Sequence, residues 1–188
     1  MTSFLSHSEI DKIGFKAVGS DVKISRNAKF YSPDKITIGN NVRIDDFCIL
    51  SGDVTIGNNI HISAYVSLYG GGGIILEDYI VISVKTSVFS QGSDWSGDFL
   101  VGVMFPDEYV KRITGLVTIK KFAAIGAMSS ILPGVTINEG TCIGAMSFVK
   151  QSIPEWEIWV GNPIRFIKKR NRNLIELEKK LKESWSTV

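Results

Sequence analysis

Aliphatic residues recur along this chain with a period of six. Counting from Ile38, the comb runs through Ile44, Leu50, Ile56, Ile62 and Leu68, shifts phase by two, and resumes at Leu76, Ile82 and Val88. After an interruption it returns at Ile113, Ile119, Ile125, Ile131, Ile137, Ile143 and Val149; a weaker piece, Val18, Ile24 and Phe30, precedes it. Small residues or Val follow four positions later, at Val42, Cys48, Val54, Val66, Ser129, Val135, Thr141 and Ser147. A period of six fits neither an amphipathic helix nor an alternating strand. It predicts short strands joined by corners, three of which close a triangular coil. The aliphatic residue points inward and the smaller one helps fill the narrow interior. Gly and Asn, as in Gly57-Asn58-Asn59, take the corner conformations other residues resist. Stacked coils then bury a core that no single coil could bury.

Outside the comb, Met1–Val18 predicts a short helix or a cap on the first coil. Phe89–Arg112 is long for a structureless connection and rich in aromatics, the mark of a functional loop. Gly70–Gly73, where the comb changes phase, lacks the Lys-Ser/Thr of a phosphate-binding loop and predicts flexible corners. Leu174, Ile175, Leu177, Leu181 and Trp185 predict a short amphipathic helix within Asn171–Trp185. The expected organisation is a repeat domain over residues 1–163, including the excursion 89–112, and a basic exit with a C-terminal helix over residues 164–188.

Charge sharpens this division. Residues 1–164 carry 13 Lys/Arg and 16 Asp/Glu, whereas residues 165–188 carry 8 and 3. A broad nucleic-acid surface is not expected; a local anion site near the exit is. Two cysteines make no disulfide framework, and Cys48 and Cys142 are both expected as core fillers. Met1–Ile10 lacks a basic start and an apolar core, so no signal peptide is expected. The uncharged stretch Val54–Leu76 is broken by glycines, so no transmembrane segment is expected, and a cytoplasmic setting follows as the default.

The comb, with its Ile-Gly-Ala corners Ile125-Gly126-Ala127 and Ile143-Gly144-Ala145 and the ending Val160-Gly161-Asn162-Pro163-Ile164-Arg165, resembles the hexapeptide-repeat acyltransferases, sugar and xenobiotic O-acetyltransferases in particular. The resemblance covers roughly residues 20–170. It implies an all-β fold: a left-handed parallel β-helix with a long excursion loop and a short C-terminal α-helix, assembled as a homotrimer with sites between subunits. It also implies acetyl-CoA as cosubstrate. The positions matching the family's cofactor site are Ala127 and Ala145 for the pantetheine arm, and Lys150, Arg165, Lys168 and Lys169 for the phosphates.

One departure stands out. The family's catalytic histidine follows a Thr-Gly or Thr-Gly-Ser stretch; here the corresponding residues are Gln91-Gly92-Ser93-Asp94, and the histidine is absent. Asp94 or Ser93 takes its place. An ordinary aspartate, with a pKa of about 3.9, is a weak base. Burial beside Trp95 and near Asp98 would raise it. A neutral amine needs less help than a hydroxyl, because it attacks first and loses its proton afterwards. His61, directly before a comb position and with an outward side chain, is the one plausible histidine base; a structural role is favoured for it. Asp46 and the aromatic Trp95 and Phe99 are candidates for holding a sugar. With only two histidines, a three-histidine zinc site is unavailable and no metal is expected.

These features lead to an acetyl-CoA-dependent acetyltransferase acting on a sugar hydroxyl, in surface polysaccharide or O-antigen biosynthesis. One alternative is an N-acetyltransferase on a nucleotide-linked amino sugar. Another, of a different class, is a non-catalytic β-helical scaffold.

Overall fold

The computed structural model describes residues 3–186 of the chain. Met1, Thr2, Thr187 and Val188, the extreme ends of the two expected segments, lie outside the described residues. The chain forms a parallel β-helix whose coils present three faces. Three inward stacks follow the comb in register. The first runs Ile24, Ile44, Ile62, Ile82, Ile125 and Ile143. The second runs Ile38, Ile56, Leu76, Ile119 and Ile137. The third runs Phe30, Leu50, Leu68, Val88, Ile131 and Val149. From Ile24 onward nearly every rung is at most 1% exposed, Phe30 excepted. Full burial of one such side chain is worth about 1.5–3 kcal/mol.

The two-residue phase shift is absorbed at one corner. Strands Ile49–Ile56 and Ser67–Leu76 bend across it, Gly52 pairs with Gly70, and the register steps so that Val54 pairs with Ile74. The 89–112 interruption is likewise an excursion that leaves the stack intact: Val88 pairs with both Leu68 and Ile131, and Leu76 with Ile119.

Interior hydroxyls find carbonyls. Thr141 Oγ1 donates to Pro154 O at 2.6 Å and Ser147 Oγ to Gly144 O at 2.6 Å, so the small polar residues fill space without an unmet hydrogen bond. Cys48 Sγ lies 3.1 Å from Ser63 O, and burial pushes its thiol up to about 11, as suits an inert core filler.

Four sequence expectations require correction. Cys142 stands beside, not on, the inward position and is half-buried. Ile113 is no rung: it pairs antiparallel with Gly92 and is 50% exposed. Val18, at the open end of the first coil, is exposed. Corners were expected to favour Gly and Asn, and Asn41 and Asn59 do take positive φ. On another corner, however, Phe47, Tyr65, Lys85, Met128 and Met146 hold φ of 58–62°. Bulky residues resist that region, so the coil closure on either side must hold them there.

Helix α1, His7–Asp11, caps the first coil with the buried Ile10. Helix α2, Leu174–Ser186, lies against the Tyr79–Phe122 corner, where Glu178 meets Lys121 at 2.7 Å and Lys182 at 2.8 Å. Among the described residues no helix is long and apolar enough to cross a membrane.

Candidate active site

The excursion is rooted by a residue the sequence reading passed over. Ser90 is fully buried; its Oγ accepts from Gly72 N–H at 2.8 Å and donates to Tyr69 O at 3.0 Å. Its carbonyl accepts from Gly115 N–H at 2.9 Å. Ser90 therefore ties both ends of the loop to the glycine corner. Beyond it, Gln91–Ser93 pairs antiparallel with Arg112–Thr114. This short hairpin delivers Asp94.

Asp94 is 8% exposed. Its N–H donates to Lys111 O at 2.9 Å, its Oδ1 accepts from Ser96 N–H at 2.7 Å, and Lys111 Nζ stands 3.1 Å from Oδ2. Hydrogen bonds from Ser96 and then Lys111 hold its carboxyl down at about 2, outweighing burial. The expected rise of this carboxyl beside Trp95 is thus overturned: Trp95 projects into solvent, 81% exposed, and gives no desolvating cover. Phe99 is partly exposed and lies under Lys111, 5.3 Å from Nζ to the ring centre. Ser93 is half-buried and lines a 210 Å³ cavity with Gly102, Val103 and Arg112.

His61 is elsewhere. It sits on a different face, in strand Ile60–Ile62, with Nε2 2.7 Å from Asp45 Oδ2; Arg43 holds Asp45 Oδ1 at 2.7 Å. Burial raises the Asp45 carboxyl, and hydrogen bonds from His61 and Arg43 outweigh it, leaving it below its ordinary value. Within one chain the three catalytic candidates do not form one cluster. Asp46 is engaged between coils, accepting from the buried Ser25 hydroxyl and from Asn27 Nδ2.

The cofactor candidates do share a column. Ala127 and Ala145 follow one another on the corner after the Ile125 and Ile143 rungs, joined by Met146 N–H to Ala127 O at 2.8 Å. A Cβ on Gly126 would stand 2.4 Å from Ala145 N, so glycine lets the coils close flat there. Lys150 is exposed just past the last rung. The exit is a strand, Arg165–Lys169, antiparallel to Glu157–Val160. This changes which cations are available. Lys169 Nζ is 2.6 Å from Glu157 Oε1, and Arg170 Nη1 donates to the Phe122 and Gly140 carbonyls at 2.8 and 2.9 Å. The side chains of Arg165 and Lys168 have no such partner among the described residues. Also among the described residues, no three His, Cys, Asp or Glu side chains gather as a metal ion would need.

Coil, excursion loop and exit strand are the parts expected of a hexapeptide-repeat transferase, and comparison with known proteins supplies the class. The family described as bacterial transferase hexapeptide (six repeats) matches residues 35–70. The dTDP-4-amino-4,6-dideoxy-D-glucose acyltransferase of Escherichia coli is 41% identical over 185 residues, 97% of this chain and 96% of that protein. The chain belongs to the hexapeptide-repeat acyltransferases. Within them it is similar to AntD, an N-acyltransferase from Bacillus cereus, solved with dTDP and 3-hydroxybutyryl-CoA: 51% identity, TM-score 0.97, covering 99% of this chain and 100% of that one. A galactoside acetyltransferase in complex with coenzyme A shares 25% identity over 90% of this chain and 76% of its own, with a TM-score of 0.57. Of the two acceptors expected from sequence, the two relatives matched along nearly their whole length side with the amine.

Proposed function

We propose that this chain is an acyl-CoA-dependent N-acyltransferase whose acceptor is the amine of a dTDP-linked amino sugar. The carrying observation is the loop aspartate, held ionised where O-acetyltransferases place a histidine. A hydroxyl acceptor needs a base poised near neutrality, and Asp94 is far from one. An amine attacks the thioester carbon in its neutral form. As the C–N bond forms, positive charge grows on nitrogen, and a fixed carboxylate stabilises it. The tetrahedral carbon then collapses with cleavage of the C–S bond, and the proton lost by nitrogen ends on the departing thiolate, so that amide and CoA thiol are released. The similarity to N-acyltransferases of dTDP-amino sugars supports the same acceptor. In this reading the working unit is a homotrimer, in which His61 and the Ala127–Ala145 corner of one subunit can face the loop of another.

The test is release of CoA thiol with a panel of acceptors. Turnover is expected with dTDP-linked 4-amino sugars and not with the corresponding hydroxyl sugars. Turnover on the hydroxyl sugars alone overturns the reading.

Arg165 and Lys168 are the proposed phosphate contacts, while Lys169 is reserved for Glu157. Lys168→Ala is expected to raise KM for acyl-CoA several-fold, at about 1 kcal/mol for one charge-assisted contact, and Lys169→Ala to raise it less. Steady-state kinetics on the two variants checks the order.

A further inference from the structure

Outward residues also stack in register along this helix, and one column carries a gap. Tyr31, Ser51, Tyr69 and Phe89 follow one another on consecutive coils. Tyr69 and Phe89 are parallel, 5.3 Å between centres and 10° between planes. Ser51 puts no ring on its rung. Tyr31 and Tyr69 therefore flank a slot two strand spacings deep, roughly 10 Å. A planar ring seated over Ser51 would stand from Tyr69 much as Phe89 does, within the range in which rings stack. Tyr69 and Tyr31 are 37% and 58% exposed, so ring surface remains for a ligand.

The surroundings suit a nucleobase. A 470 Å³ cavity opens over Ser51, Tyr69 and Phe89, bordered without side chains by Gly52, Gly70 and Gly71, and Tyr31 stands one coil beyond it, next to Ser51. A Cβ on Gly71 would lie 2.4 Å from Gln91 Oε1, so the bare backbone lets the Gln91 carboxamide close over the cavity rim. Its Nε2 makes one long contact, 3.4 Å to Thr114 Oγ1. A carboxamide offers a donor and an acceptor, as does the edge of a pyrimidine. Gln91 also begins the strand that leads to Asp94, about 10 Å away along an extended chain. That separates a base-binding end from a reacting end, as a nucleoside diphosphate sugar requires.

We infer that the slot over Ser51, between Tyr31 and Tyr69 and rimmed by Gln91, receives the pyrimidine base of the sugar nucleotide. This rests on the acceptor proposed above. The test is calorimetric titration of the protein with dTDP alone, for wild type, Ser51→Phe, Tyr69→Ala and Tyr69→Phe. Ser51→Phe fills the slot with a ring and is expected to abolish measurable binding. Tyr69→Ala is expected to weaken binding about tenfold or more, on the scale of one lost base–aromatic stack, and Tyr69→Phe to restore it. Kd for acyl-CoA, measured by the same titration without acceptor, should stay within twofold in all variants, which also reports on folding. Wild-type binding with both Ser51→Phe and Tyr69→Ala unaffected overturns the slot alone. If Ser51→Phe fails to fold, Tyr69→Ala decides. No dTDP binding by wild type overturns the slot and the nucleotide-linked acceptor together, while turnover on a free amino sugar would then keep the amine chemistry.

Discussion

Replacing Asp94 by Ala is expected to lower kcat about 100-fold or more and to leave acyl-CoA binding within a few-fold of wild type. The loss is the scale for removing one positioned group that meets charge or a proton in the transition state. Binding should survive because Asp94 lies on the loop hairpin, whereas Ala127, Ala145 and Lys168 lie on the coil corner and the exit strand. The pH dependence gives a second check. A carboxyl held at about 2 is ionised throughout the working range and supplies its charge at every pH above that value. The acid limb of kcat/KM should therefore track the amino sugar's own ammonium, shifting when acceptors of different amine basicity are compared. It should also persist in Asp94→Asn at reduced height. A limb that disappears in Asp94→Asn would mean that Asp94 is the titrating base. His61→Ala, by contrast, should cost little turnover, since its ring is committed to Asp45.

The candidate site was legible in the chain where it depends on residue type and order. Asp94 stood out as a candidate in the segment where the resembled family carries its histidine, and Ala127 and Ala145 as matches to that family's Gly-Ala corners. What sequence order could not convey was partnership. The pKa of Asp94 depends on Ser96 and on Lys111, which returns from the far end of the loop. Lys169 looks equivalent to Lys168 until Glu157 is brought across the exit hairpin. Ser90 carries no pattern of its own, because its importance comes from Gly72 and Tyr69 on the coil before it. The exit strand Arg165–Lys169 was not visible because a basic run carries no strand signal; pairing with Glu157–Val160 across the exit hairpin supplies it.

The comb itself makes a prediction that separates periodicity from packing. Ile82 and Ile113 both belong to it by count, and both are isoleucines. Ile82 is fully buried between Ile62 and Ile125 in one of the three inward stacks. Ile113 is half-exposed opposite Gly92, on a hairpin whose strands leave the coil. Ile82→Ala should cost about 2–5 kcal/mol, since stacked neighbours above and below prevent the cavity from collapsing. Ile113→Ala should change stability by about 0.5 kcal/mol or less. Denaturant melts of the two variants at one protein concentration, which fixes any contribution from subunit association, test the contrast. Equal shifts would mean that Ile113 is buried by a neighbouring subunit or that the Ile82 stack is loosely packed. Crosslinking through a cysteine placed at Ile113 tells these apart. The contrast follows from the coil's construction. A six-residue period marks inward positions only while the chain stays in the coil, and the excursion keeps the count while leaving the core.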